Sequence, residues 1–178
     1  PLYRFAFFAP VVVGEVAYAA VFRLMFSADF GIINKLITSV GLAPISWFDN
    51  ANAAMALVII AVTWRWAGYN AIIILAGLQS IPGDVYEAAT LDKVSKRQQF
   101  FHITLPLLKP IILFCVVLSV IGTMQLFTEP FVLTGGGPGN ATTFLSQFLA
   151  QIAVGQFDLG PAAAFSLIYF LIILLLCF

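Results

Sequence analysis

The run IILFCVVLSVIGTMQLF, residues 111–127, carries no charged side chain. Comparable apolar runs recur before and after it. A hydrocarbon layer about 30 Å thick takes about 20 helical residues to cross at about 1.5 Å each. The spacing predicts four spans, over 5–26, 54–79, 107–127 and 160–178, the last still apolar where the chain stops. The second is interrupted by TWRWAGYN, but its halves would each be too short to cross, so one span with a polar centre is expected. With 62% hydrophobic and 9% charged residues among 178, the chain has more apolar surface than a soluble domain of that size buries. The expected class is all-α, a polytopic transmembrane helical bundle and a piece of a longer chain.

Charge placement sets the orientation. Lys93, Lys96 and Arg97 lie between the second and third spans with Lys109 at the start of the third, only Lys35 lies in 27–53, and 128–159 holds neither Lys nor Arg. The basic connection, about 80–106, is therefore expected in the cytoplasm, and the other two outside. Their stretches ISWFDNAN and LTGGGPGNATT suit exposed turns. The formal net charge is zero and no basic stripe occurs, which argues against a nucleic-acid partner.

Several chemistries find no support. Cys115 and Cys177 sit in apolar runs as small hydrophobes. His102 lies beside a basic stretch with no metal-ligand spacing around it and reads as a surface histidine. TGGGPGN lacks the following Lys-Ser/Thr of a phosphate cradle, and Asn140-Ala141-Thr142 is discounted as a glycosylation acceptor. No nucleophile is paired with a base, so no catalytic residue, cofactor or metal is expected, and no signal peptide is recognisable.

The segment IPGDVYEAATLDKVSKRQQFFHITLPLLKP, residues 81–110, holds half of the basic residues. Asp84 and Glu87 form an acidic capping pattern for a helix over 85–92. Ala88 and Ala89 offer a flat surface, and Val85, Leu91 and Val94 add apolar contact. A second helical stretch over 95–102 and a span opening at LPLLKP should follow. Two readings stand: a docking segment for a cytoplasmic protein, or a loop lying on anionic lipid.

Polar residues inside spans need partners. Glu15 and Arg65 each lie near a span centre, where an unpaired charge costs at least about 2.5 kcal/mol. They pair with each other or a polar ligand, or else find separate local partners. Trp64, Trp66, Tyr69 and Asn70 combine flat apolar faces with polar edges, as a pocket for a small ligand with both apolar and polar faces requires. Helical spacing sends these side chains to different faces, so at most two or three can share one cavity, with Trp66 favoured and Trp64 equally suited to helix packing. Thr123, Gln125 and Glu129 end the third span, where small polar groups also hydrogen-bond neighbouring helices.

The stretch EAATLDKVSKRQQFFHITLP resembles the EAA motif of permease subunits in binding-protein-dependent ABC importers at all fixed points but one. FGIINKL, GLQSIP, ITLPLLKP and LTGGGPGNAT extend the resemblance to sugar permeases of the maltose, lactose and glycerol-phosphate class. The resemblance implies a six-helix core of which this chain is part, in a bacterial inner membrane. It implies pairing with a second permease, a cytoplasmic ATPase dimer that binds the ATP, and an external sugar-binding protein. Carried over by position, Glu87, Ala88 and Ala89 would sit in a cleft of the ATPase, flanked by Asp92 and Lys93. Glu87 could also cap its own helix. Glu15, Arg65, Trp66, Thr123 and Gln125 would fall along the substrate path. Lys93 stands where the family has glycine, so a left-handed turn there would cost about 1–2 kcal/mol. Either the turn differs or coupling is impaired. The rival readings are an ion- or proton-coupled secondary carrier titrating Glu15, and a membrane scaffold without transport.

Overall fold

The structure is a computed structural model that describes residues 9–177. A helical turn over 9–12 stops at Val13 and Gly14, and α1, Glu15–Met25, begins anew. The expected first span was a single helix over 5–26; its residues 5–8 lie outside the described residues, and the remainder is broken at Gly14. The break has an electrostatic reason: it moves Glu15 from a helix interior to a first turn, where unpaired N–H groups favour negative charge. Tyr18, Ala19 and Phe22 face inward. Phe22 stacks on Phe26 at 5.9 Å, and Phe26 meets Trp47 edge-on at 4.9 Å.

Helix α2, Ile32–Ser39, starts at Gly31, whose backbone is so close to Met25 and Ser27 that a Cβ would fall 2.5 and 2.3 Å from their carbonyl oxygens. Asn34 is buried on α2 and organises the following loop. Its Nδ2 donates to the Ile45 carbonyl, and its Oδ1 accepts from Ile45 N–H and Trp47 Nε1–H. Asn50 then caps α3, Ala51–Gln79, accepting from the Asn52 and Ala53 amides. At about 1.5 Å per residue, α3 is roughly 43 Å long and runs unbroken through TWRWAGYN.

The chain turns sharply at Ser80–Pro82 into α4, Gly83–Leu91. Neither Asp84 nor Glu87 caps it by side chain. Pro82 occupies the cap position, and Asp84 lies in the first turn. The expected short helix over 95–102 and the span after it are one helix, α5, Lys96–Met124. Ser95 and Gln98 form its capping box, and a wide π-type turn over Phe100–Thr104 joins its two parts. Pro106 has no N–H for the His102 carbonyl, and the wide turn directly precedes it.

Beyond α5 come α6, Thr128–Thr134, closed by left-handed Gly135 (φ 64°), then α7, Leu145–Gly155, and α8, Leu159–Cys177. Ser146 Oγ donates to the Leu126 carbonyl and Tyr169 to that of Met124, which ties α7 and α8 to the end of α5. Among the described residues α3, α5 and α8 are long and apolar enough to cross a membrane. The core gathers Tyr18, Phe22, Leu57, Val58 and Leu133 where α1, α3 and α6 meet. Large apolar side chains such as Leu113, Phe114, Leu167 and Leu175 point outward, as lipid-facing helices require.

Helices α3 and α5 approach most closely at Gly77, where a Cβ would lie 2.3 Å from Ile111 Cδ1 and 3.1 Å from Leu108 Cδ2. Gly77→Ala can be met by rotation of the Ile111 tip. Gly77→Leu cannot, and is expected to cost about 1–3 kcal/mol and to lower the detergent-solubilised Tm well beyond the alanine variant. Equal Tm values for the two would contradict this crossing.

Candidate functional site

Three groups of polar residues stand out in the bundle, and they fall in different places. The first is a buried charge cluster. Arg65, on the inward face of α3, is 7% exposed and its Nη2 lies 3.4 Å from Glu15 Oε1. Its guanidinium lies over the Tyr18 ring, 4.9 Å from the centroid. Glu129, carried on the first turn of α6, is 4% exposed and lies close to the Tyr18 hydroxyl. Arg65 Nε and Nη1 and the Tyr18 hydroxyl are buried without closed hydrogen bonds. Glu15 and Arg65 therefore pair with each other, as one of the two sequence readings had it. Trp64 packs against Phe22 at 5.2 Å and Tyr18 at 6.1 Å, on the packing side of its two alternatives.

The second group lines a cavity of about 240 Å³ between α3 and α5. Thr63, Trp66, Tyr69 and Asn70 form one stripe of α3, spaced three and four residues apart, and Ser119, Gly122 and Thr123 face them from α5. Trp66 and Tyr69 meet edge-on at 5.6 Å, while Asn70 Nδ2 donates to Ser119 Oγ at 3.3 Å across the two helices. The wall thus offers an indole face beside amide and hydroxyl groups. Trp66 and Thr123 lie together here. Glu15 and Arg65 do not line this cavity, because Arg65 points from α3 toward α1, and Gln125 sits exposed just past the end of α5. The sequence reading missed Ser119 and Gly122. Their signal was present: Ser119, Gly122 and Thr123 at i, i+3 and i+4 make a small, polar stripe on an otherwise apolar helix.

The third group is α4, at the end of the bundle where α3 stops and α5 starts. Glu87, Ala88 and Leu91 are exposed, with Leu91 83% accessible, whereas Ala89 is only 5% exposed and turns inward with Val85 and Tyr86. The expectation that Ala88 and Ala89 share one outer surface is therefore corrected: at about 100° per residue the outward stripe is Asp84, Glu87, Ala88 and Leu91. The Tyr86 and Thr104 hydroxyls hydrogen-bond at 3.0 Å, tying α4 to the wide turn of α5.

Helix α4 ends in a Schellman arrangement. Asp92 is the C-cap, Lys93 takes a left-handed conformation (φ 54°), Lys93 N–H donates to Thr90 O, and Val94 N–H to Ala89 O. The turn that suits glycine is thus retained with lysine in it. Lys93→Gly is expected to strengthen it by about 1 kcal/mol, seen as roughly fivefold slower hydrogen exchange at the Val94 amide. In the charge cluster, Arg65→Gln is expected to lower Tm more than Glu15→Gln, since Arg65 is almost wholly buried and stacks on Tyr18 while Glu15 keeps partial access to solvent. Thermal melts of the two variants rank them directly.

Comparison with known proteins places these features. A family model described as binding-protein-dependent transport system inner membrane component matches residues 1–178. The arabinooligosaccharides transport system permease protein AraP of Halalkalibacterium halodurans is 39% identical over 174 residues, covering 97% of this chain and 55% of that protein. The lactose transport system permease protein LacF of Rhizobium radiobacter is 44% identical over 155 residues, 85% of this chain and 52% of that one. The chain spans about half the length of these relatives. A chain in the crystal structure of a bacterial alginate ABC transporter in complex with alginate pentasaccharide-bound periplasmic protein superposes with a TM-score of 0.88 at 21% identity, covering 99% of this chain and 62% of that one. The all-α transmembrane bundle is thus that of an ABC importer permease.

Proposed function

Because the chain belongs to the family of binding-protein-dependent transport system inner membrane components, we propose that it forms part of a permease subunit for ATP-driven carbohydrate uptake. One observation carries the reading: the two helices that wall the cavity, α3 and α5, are also the two that hold α4 at their common end. A displacement of α4 is thereby delivered to both sides of the cavity. The relatives' names, which specify oligosaccharide and lactose transport, support a sugar as cargo.

In this mechanism ATP binds to a separate cytoplasmic ATPase dimer, and this chain contributes no catalytic group. The exposed stripe of Glu87, Ala88 and Leu91 docks in a cleft of the ATPase, with Glu87 free to meet a basic residue there. Closure of the ATPase pushes α4, and the Tyr86–Thr104 contact passes the movement into α5. The cavity turns outward and receives sugar from an external binding protein. Trp66 offers its face to the apolar side of a sugar ring, and Asn70, Ser119 and Thr123 supply hydrogen bonds to its hydroxyls. A second permease subunit completes the cavity wall. The subunit crosses the inner membrane of a bacterium several times, with α4 on the cytoplasmic side. A secondary carrier titrating Glu15 is disfavoured by the family match and by the engagement of that carboxylate with Arg65.

The test uses the full-length subunit in its assembled transporter. A photocrosslinker at Ala88 or Leu91 should capture the ATPase, while capture of phospholipid alone would sink the importer reading. Trp66→Ala should raise the sugar concentration for half-maximal stimulation of ATP hydrolysis by at least about fivefold, a buried aromatic contact being worth about 1–3 kcal/mol. Lys93→Gly should leave folding intact and increase sugar-stimulated hydrolysis, and unchanged or lower hydrolysis would separate turn stability from coupling.

A further inference from the structure

At the end of the bundle opposite α4, a groove of about 490 Å³ runs between the last turns of α1, the loop before α3 and α6. Ala20, Leu24, Phe30, Phe48 and Val132 give it an apolar lining, and Arg23 and Ser27 give it a polar edge. Arg23 is held in place: Nη1 donates to the Val132 carbonyl at 3.2 Å, and the guanidinium carbon stands 6.0 Å from the Phe48 centroid. That uses one of five guanidinium donors. Among the described residues no carboxylate lies within 4 Å of Arg23. Its charge is therefore fixed at the groove's edge and unanswered by the chain itself.

The location is also unusual by charge. Positive residues collect on the cytoplasmic side, and among the described residues the basic groups at this end of the bundle are Arg23 and Lys35, with Asp29 and Asp49 in the adjoining loops and no ion pair to either. The groove continues directly into the outward surface of α1, where Val16, Val21 and Leu24 are exposed, and onto Phe30 and Ile32. A ligand that fits must combine an anionic head with a long apolar body lying along a lipid-facing helix. We propose that this groove binds an anionic phospholipid of the outer leaflet, its phosphate on the Arg23 guanidinium and an acyl chain along Ala20, Leu24 and Phe30. The site holds the broken first helix against α6 through a bound lipid as well as through the Arg23 to Val132 hydrogen bond.

The assembled transporter, reconstituted in vesicles of equal parts phosphatidylglycerol and phosphatidylcholine and then extracted intact, allows the retained lipid to be counted by native mass spectrometry. Phosphatidylglycerol should be enriched roughly fivefold over the bulk ratio on the unmodified protein, the preference expected of a single basic residue at a membrane surface. Arg23→Gln should return the ratio to that of the bulk, and Arg23→Lys should keep part of the preference. Ala20→Trp, which fills the groove and leaves the charge, should reduce both retained lipids. Unaltered enrichment in Arg23→Gln overturns the proposal; should that variant not assemble, unaltered retention in Ala20→Trp does so. A photocrosslinker at Phe30 that captures a polypeptide in place of phospholipid likewise overturns it, because the groove would then be a protein interface.

Discussion

A guanidinium enclosed within a hydrocarbon layer has to be answered by its neighbours, and the demand made by Arg65 organises the middle of this bundle. The chain answers it with the Glu15 carboxylate and the face of Tyr18, whose hydroxyl lies beside the buried Glu129. Glu15 and Tyr18 come from α1 and Glu129 from α6. Satisfying one charge therefore fixes α1 and α6 against α3, and the aromatic packing of Phe22, Phe26, Trp47 and Trp64 builds outward from that junction. The break at Gly14 belongs to the same solution, because it gives Glu15 the open N–H groups of a helix start as well as an arginine.

The cavity and the charge cluster lie on different sides of one helix. Residues 63, 66 and 70 fall on one stripe of α3, and Arg65 is turned roughly 100° away. This separation lets α3 serve two purposes. One side is locked to α1 and α6, while the other is hydrogen-bonded to α5 through Asn70 and Ser119 only, a contact at 3.3 Å between side chains that a polar ligand can replace. The chain is thus rigid where charge is buried and adjustable where a sugar would enter.

Much of this was legible in the sequence. Length and apolarity suffice to locate α3 and α8, because twenty or so residues of hydrocarbon-compatible chain leave few alternatives. The cost of leaving either charge alone called for partners to Glu15 and Arg65, and their pairing was one of the two outcomes it left open. Helical spacing limited the cavity to two or three of Trp64, Trp66, Tyr69 and Asn70 without saying which beyond Trp66. What escaped depends on tertiary geometry. A glycine in an apolar run gives no sign whether it breaks a helix, as Gly14 does, or seats a neighbouring one, as Gly77 does. The direction of Ala89 was hidden because a nine-residue helix with alanines on two faces has no decisive periodicity; the inward side is chosen by Tyr86 reaching Thr104. Lys93 was the reverse case. A residue type that disfavours a positive φ occupies one, since both Schellman hydrogen bonds and the short connection to Ser95 require it.

The wide turn over Phe100–Thr104 has a geometric effect that reaches past its five residues. One additional residue in a single turn shifts the angular phase of everything beyond it by roughly 100°. The foot of α5 and its apolar shaft therefore keep independent rotational settings within one continuous rod. A rotation of the foot can thus be taken up at Phe100–Thr104 while Ser119, Gly122 and Thr123 stay aimed at α3.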